Sequence, residues 1–166
     1  MKTYHILIGN CEEVFNDFVE ALFQEVCEGK AKVQCTRTAR VGDFVRQGCE
    51  HDFDLVIQVP HSLFPEVSAP TPIGLIGEAI RAISTIKSKR QAPVITIVAP
   101  EERGRYEPLL LEAGADCVLE LPFAGEELSA AVGRLLKLPA RLERRASTRW
   151  YNAGVLMRGL QRLTQA

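Results

Sequence analysis

No run of apolar residues in this 166-residue sequence approaches the roughly 18–20 needed to span a bilayer. Its start, Met1-Lys2-Thr3-Tyr4-His5, leads straight into a short strand-like run, with neither the apolar stretch nor the small-residue cleavage site of a signal peptide. The expected location is therefore the cytosol, with no membrane partner. The five cysteines, Cys11, Cys27, Cys35, Cys49 and Cys117, are irregularly spaced and include no C-x-x-C pair, so neither a zinc site nor a redox dithiol is signalled. They are expected as reduced thiols, mostly buried as small hydrophobes. Walker and dinucleotide-binding fingerprints are missing, since Gly9 and Gly29 belong to no glycine-rich loop. Cys35 and Arg40 stand one residue too close for a phosphatase loop and fall on a strand. His61 has no His or Cys partner at ligand spacing. No metal and no cofactor is expected.

What is present is ordinary globular material, 46% apolar and 25% charged, enough for one domain with a real core. The net charge of −1 hides an asymmetry. Residues 134–166 carry eight Lys or Arg against one acid, Glu143, whereas residues 1–133 hold 12 basic and 20 acidic side chains. The division expected is a domain over 1–138 followed by a basic helical extension over 139–166.

Short apolar runs alternate with helical patterns. Strands are predicted at Tyr4–Gly9, Lys32–Thr38, Leu55–Val59, Pro93–Ala99 and Cys117–Leu121. Helices are predicted at Glu12–Glu28, Val41–Gly48, Ile73–Lys89, Arg103–Ala113 and Gly125–Leu138, with Pro108 in the first turn of the fourth or kinking it. Near-continuous apolar strands separated by helices imply a parallel sheet covered on both faces. The expected fold is therefore α/β, a (βα)5 doubly wound sheet of flavodoxin-like order with any site at the C-terminal strand ends. Four prolines, Pro60, Pro65, Pro70 and Pro72, make the connection after the third strand a long irregular loop at that same edge.

Ala113-Gly114-Ala115-Asp116-Cys117-Val118-Leu119-Glu120-Leu121-Pro122-Phe123 resembles the A-G-A-D-D-Y-L-V-K-P-F segment of CheY-like response-regulator receiver domains. Ile6–Glu12, Phe53–Val59 and Pro93–Ala99 resemble three further receiver segments, in order and at matching spacing. The resemblance covers about residues 3–138 and implies two-component signalling and phosphorelay chemistry. A working receiver holds Mg²⁺ with carboxylates and uses another as the phosphoacceptor. In the implied register the acidic pair is Asn10 and Cys11, the acceptor is Val59, the sensing hydroxyl is Val98 and the conserved-type lysine is Leu121. Val118 takes the place of the switch aromatic, and Pro122 that of a cis-proline. A valine cannot attack phosphorus, nor can a leucine pair with an oxyanion.

The resemblance with these replacements implies a pseudo-receiver that is not an enzyme and signals through phosphorylation-independent protein contacts. The partner-binding candidates are Arg103, Arg105, Tyr106 and Glu120 on the fourth-helix to fifth-helix face, and Arg144, Arg145, Arg149 and Trp150 in the extension. Homodimerisation through that face or the terminal helix is one form this takes. The extension also reads as a helix packed on its own acidic body, and nucleic acid is not the expected partner. The alternative is a small-ligand binder or enzyme on the same fold. Its site would be a polar pocket near Asn10, Cys11, His61 and Ser62.

Overall fold

In the computed structural model, which describes residues 1–10, 12–27, 30–60, 72–121, 123 and 125–138, the apolar runs become five strands. These are β1 (Lys2–Gly9), β2 (Ala31–Thr38), β3 (Leu55–Gln58), β4 (Val94–Val98) and β5 (Cys117–Glu120). All pair in parallel, in the order β2-β1-β3-β4-β5. The doubly wound α/β arrangement expected from the alternating pattern is the one observed. The helices described are α1 (Glu13–Val26), α2 (Val41–Glu50), α3 (Pro72–Lys89), α4 (Pro100–Ala113) and α5 (Gly125–Leu135). None of them is long and apolar enough to cross a membrane.

Side-chain alternation along each strand divides the interior into two layers. Ile6, Ile8, Leu55, Ile57, Ile95, Ile97 and Leu119 face one way and are covered by α1 and α5. Leu7, Val56, Val94, Val98 and Val118 face the other, under α2, α3 and α4. Every residue of β3 and β4 is buried, as continuous apolar runs in the middle of a parallel sheet should be.

Two aspartates standing just before strands set the register. The Asp54 N–H donates to the His5 carbonyl at 2.8 Å, and Asp54 Oδ2 accepts from the His5 N–H at 2.8 Å. Asp116 does the same to Val94, at 2.8 Å in each direction. Asp116 Oδ2 also meets Lys87 Nζ at 2.7 Å, tying α3 to the start of β5. Ahead of it, Gly114 closes α4 in the left-handed conformation (φ 117°), which a residue with a Cβ adopts at a cost.

Helix α4 starts earlier than the sequence pattern predicts. Pro100 suits the first helical position, and Glu102 reaches back to the Ala99 N–H at 3.2 Å. Pro108 therefore lies in the helix interior rather than its first turn. The residue four before it, where a proline ring crowds the carbonyl, is Gly104. The other end shifts are of one to three residues, as fraying and capping produce.

Helices α2 and α3 approach closely because Gly48 has no side chain. A Cβ there would lie 2.7 Å from Ile86 Cδ1 and 2.8 Å from its Cγ1. Arg90, just past α3, donates to the Cys49 and Glu50 carbonyls at 3.0 and 3.1 Å, satisfying the end of α2. Gly48→Ala is expected to lower unfolding free energy by about 1–3 kcal/mol, because buried, β-branched Ile86 has little room to yield. Gly42→Ala, in the same helix with nothing within 4 Å of its Cβ, should instead stabilise by about 0.5 kcal/mol. Urea unfolding of the two variants tests the contrast in sign.

Candidate functional site

The C-terminal edge of the sheet is where β1, β3, β4 and β5 deliver the residues that a receiver would use. Each strand end is stitched to its neighbour beyond the formal strand: the Val59 N–H donates to the Gly9 carbonyl at 3.0 Å, and the Leu121 N–H to the Val98 carbonyl at 2.9 Å. Asn10, Val59 and Val98 are 1%, 1% and 0% exposed. Val59 points into the α1/α5 layer and Val98 into the α2/α3/α4 layer, while half-buried Leu121 packs against the first of these. Phe123 follows, edge-on to Phe15 and Phe18 with ring centroids 6.3 and 6.2 Å away. Described positions that would carry charge in a phosphorylated receiver are thus ordinary core.

Asn10 has a structural job. Its backbone N–H donates to the Thr38 carbonyl at 3.0 Å, its Oδ1 accepts from the Glu12 N–H at 3.1 Å, and its carbonyl accepts from Asn16 Nδ2 at 3.0 Å. The Oδ1 bond to the amide two residues on is an Asx-type turn that leads the chain into α1. Glu12 and Glu13 accordingly occupy the start of that helix, as the sequence implied.

A divalent cation does not fit these residues. Magnesium needs a set of hard oxygen ligands, preferably anionic. The acceptor position offers a buried methyl group, and Asn10 Oδ1 is held by a backbone amide. Among the described residues no group of three or more His, Cys, Asp or Glu is arranged to hold a metal. Cys11, His61, Ser62 and Pro122 lie outside the described residues, and so do Arg144, Arg145, Arg149 and Trp150.

Three buried polar side chains close to this edge were not singled out by the sequence pattern as contributors. Gln58 and Thr96 are register partners on β3 and β4, with Gln58 Nε2 donating to Thr96 Oγ1 at 3.0 Å. Glu102 is 4% exposed and caps α4. A polar residue inside an otherwise apolar strand was the available signal for the first two. These groups satisfy one another and the backbone, which is what burial of polar atoms demands.

The cysteines are free where described, but full burial is confined to Cys27, with Cys35, Cys49 and Cys117 half-buried. The expectation of mostly buried thiols is corrected in that respect: Cys35 and Cys117 lie on the two edge strands, which no further strand covers. Burial, with help from Glu20, still pushes the Cys35 thiol up to about 12, and burial raises Cys27 and Cys117 as well. None of the three is poised as a thiolate nucleophile.

On the α4–β5 face, Arg103 donates to Glu107 at 3.2 Å and lies 3.9 Å from Glu120. The single acid of the apolar fifth strand thus has its basic neighbour. Arg105 is exposed, its guanidinium 6.0 Å from the ring centroid of half-buried Tyr106. Leu109 and Leu111 on the same helix are 48% and 44% exposed. Of the three consecutive leucines of this helix, Leu110 alone is buried.

No family model matches the sequence, and neither does any curated protein. In three dimensions the chain is similar to the Francisella response regulator 1452 receiver domain, with TM-score 0.60 and 18% identity over 81% of this chain and 97% of that one. It is similar also to the receiver domain of a sensor histidine kinase from Pseudomonas aeruginosa, which holds a magnesium ion in its active-site cleft (TM-score 0.59, 18% identity, 81% and 98% covered). A third similar structure is that of a protein named as a CpaE2 pilus assembly protein from Sinorhizobium meliloti (TM-score 0.57, 18% identity, 79% and 98% covered). At such identities the likeness shows the fold, and the fold is that of a receiver domain.

Restoring one carboxylate to this edge should harm the protein rather than activate it. Val59→Asp places an acid in the α1/α5 layer with no counter-charge among the described core residues there, for an expected loss of about 3 kcal/mol or more at neutral pH. The buried carboxyl would stay protonated while the unfolded one ionises, so the loss should be smaller near pH 4 than at pH 8. Urea unfolding at the two pH values measures this, and equal losses would mean that the carboxylate reaches solvent.

Proposed function

We propose that this chain is a pseudo-receiver: a non-catalytic, cytosolic signalling adaptor that contacts other proteins without being phosphorylated. Its receiver-like domain would be residues 1–138, with residues 139–166 as a basic extension. The observation that carries the reading is the burial of Asn10, Val59 and Val98 in a strand edge that the structure describes without a metal-binding acid cluster. Phosphoryl transfer needs a nucleophile and a way to neutralise charge on the transferring group. Neither valine supplies one. The same burial weighs against a small-ligand pocket between β1 and β3, because Asn10 and Val59 would line it.

The contact surface proposed is the α4–β5–α5 face, with Arg103, Arg105, Tyr106 and Glu120 now joined by Leu111, one turn on from Glu107. An exposed leucine beside charged side chains has the composition of a protein interface, an apolar centre with a polar surround. The ion pair from Arg103 to Glu120 would give register rather than strength, as partly exposed pairs contribute little.

The test is the intact mass after incubation with Mg²⁺ and acetyl phosphate. No phosphoryl adduct is expected. A stoichiometric adduct would refute the proposal, and peptide mapping would then locate the reactive residue. For the surface, sedimentation velocity compares the protein with its Leu111→Glu variant. A dimer that dissociates in the variant is the expected result for pairing through this face, whereas an unchanged dimer would exclude it.

A further inference from the structure

Helix α1 differs from the other helices in charge. Residues 3–29 contain six acids and no Lys or Arg, whereas α2, α3, α4 and α5 each include at least one arginine. Arg37 on β2 crosses to Asp17 at 2.8 Å and Glu20 at 2.7 Å, yet the Asp17 side chain remains 70% exposed. Glu13 is exposed and Glu25 half-exposed. Val14 lies in the same stretch at 51% exposure, one turn from half-buried Phe18. This face therefore combines carboxylates with uncovered apolar surface.

The described chain ends at the same edge of the sheet as α1. Leu138 packs on the layer that α1 and α5 share, and both helices lead from the C-terminal strand ends to the opposite edge. The 28 residues that follow carry six arginines and one acid. Arg141, Arg145 and Arg149 recur every fourth residue, so in helical form they make one stripe about 12 Å long. Asp17 and Glu25 are also eight residues apart on α1. A segment turning back at Pro139 would run antiparallel to α1, bringing Arg141 towards Glu25 and Arg149 towards Asp17. Trp150 would then reach the level of Phe18 and Val14.

We propose that residues 141–150 of this chain dock along the acidic face of α1, within the same molecule. The arginine stripe meets Glu25 and Asp17, with Glu13 one turn beyond Arg149, and Trp150 covers the apolar surface beside Val14. Charge, spacing and the position of Leu138 agree on this occupant. The contact leaves the α4–β5–α5 face free, so failure of either assignment leaves the other standing.

Trp150 is the sole tryptophan of the chain, so its fluorescence reports directly on docking. Acrylamide quenching is measured on the full chain, on a Glu13→Gln/Asp17→Asn/Glu25→Gln variant, and on an Arg141→Gln/Arg145→Gln/Arg149→Gln variant. Docking predicts that the quenching constant rises at least about twofold in either variant, and in the unaltered protein when salt is raised from low to about 0.5 M, because exposed pairs are screened. It predicts no change on dilution. Equal quenching in all three proteins would overturn the proposal. Shielding that fades on dilution would overturn it too, by giving the face to the tail of a second copy. Should the α1 variant lose its circular dichroism signal, the tail variant decides alone.

Discussion

Asp54 and Asp116 each grip the neighbouring strand by both its N–H and its carbonyl, one residue before their own strand begins. They hold β3 in register on β1 and β5 in register on β4, and so decide what those strands deliver at the opposite edge of the sheet. A slip of one residue in a strand exchanges its two faces. If β3 slipped against β1, Gln58 would enter the α1/α5 layer and Val59 would leave it. With the clips in place, the apolar side chains of β3, β4 and β5 all enter the correct layer, and the strand ends arrive level enough to be stitched together by backbone bonds.

The fold was legible because its strands are short, apolar and regularly interrupted, and because the signal at each interruption is local. The Ala113–Phe123 string, which carried the resemblance, turns out to be architectural where it is described: Gly114 supplies the left-handed cap, Ala115 packs, and Asp116 is a clip. The start of α4 was less legible. The pattern begins it at Arg103, whereas Pro100 in the first helical position and the bond from the Ala99 N–H to Glu102 begin it three residues earlier. At the strand ends, the sequence conveyed which residues stand there but not which contacts they make. The turn made by Asn10 is local, a bond to the amide two residues on, but the Gln58–Thr96 pair joins residues 38 positions apart that topology brings together. Spacing along the chain carries no trace of such contacts.

The apolar strand ends also decide how this edge coheres. A working receiver confines like charges and a metal in one cleft, which favours ligand binding at a cost to the unliganded state. Here Val59 and Val98 add to opposite layers of the core, and Phe123 joins Phe15 and Phe18 in an aromatic cluster. Val118 is buried in the same layer as Val98.

The stitched, apolar strand edge also bears on what substitution can do here. Building a metal-binding, phosphorylatable pocket on this chain would need several acids and a lysine to arrive together, since the first acid to appear would find neither cation nor partner among the described residues. Each single step would cost stability, and with it abundance, before any benefit could accrue. An edge filled with valine is thus held there by its own stability, and variation is directed to the outer faces.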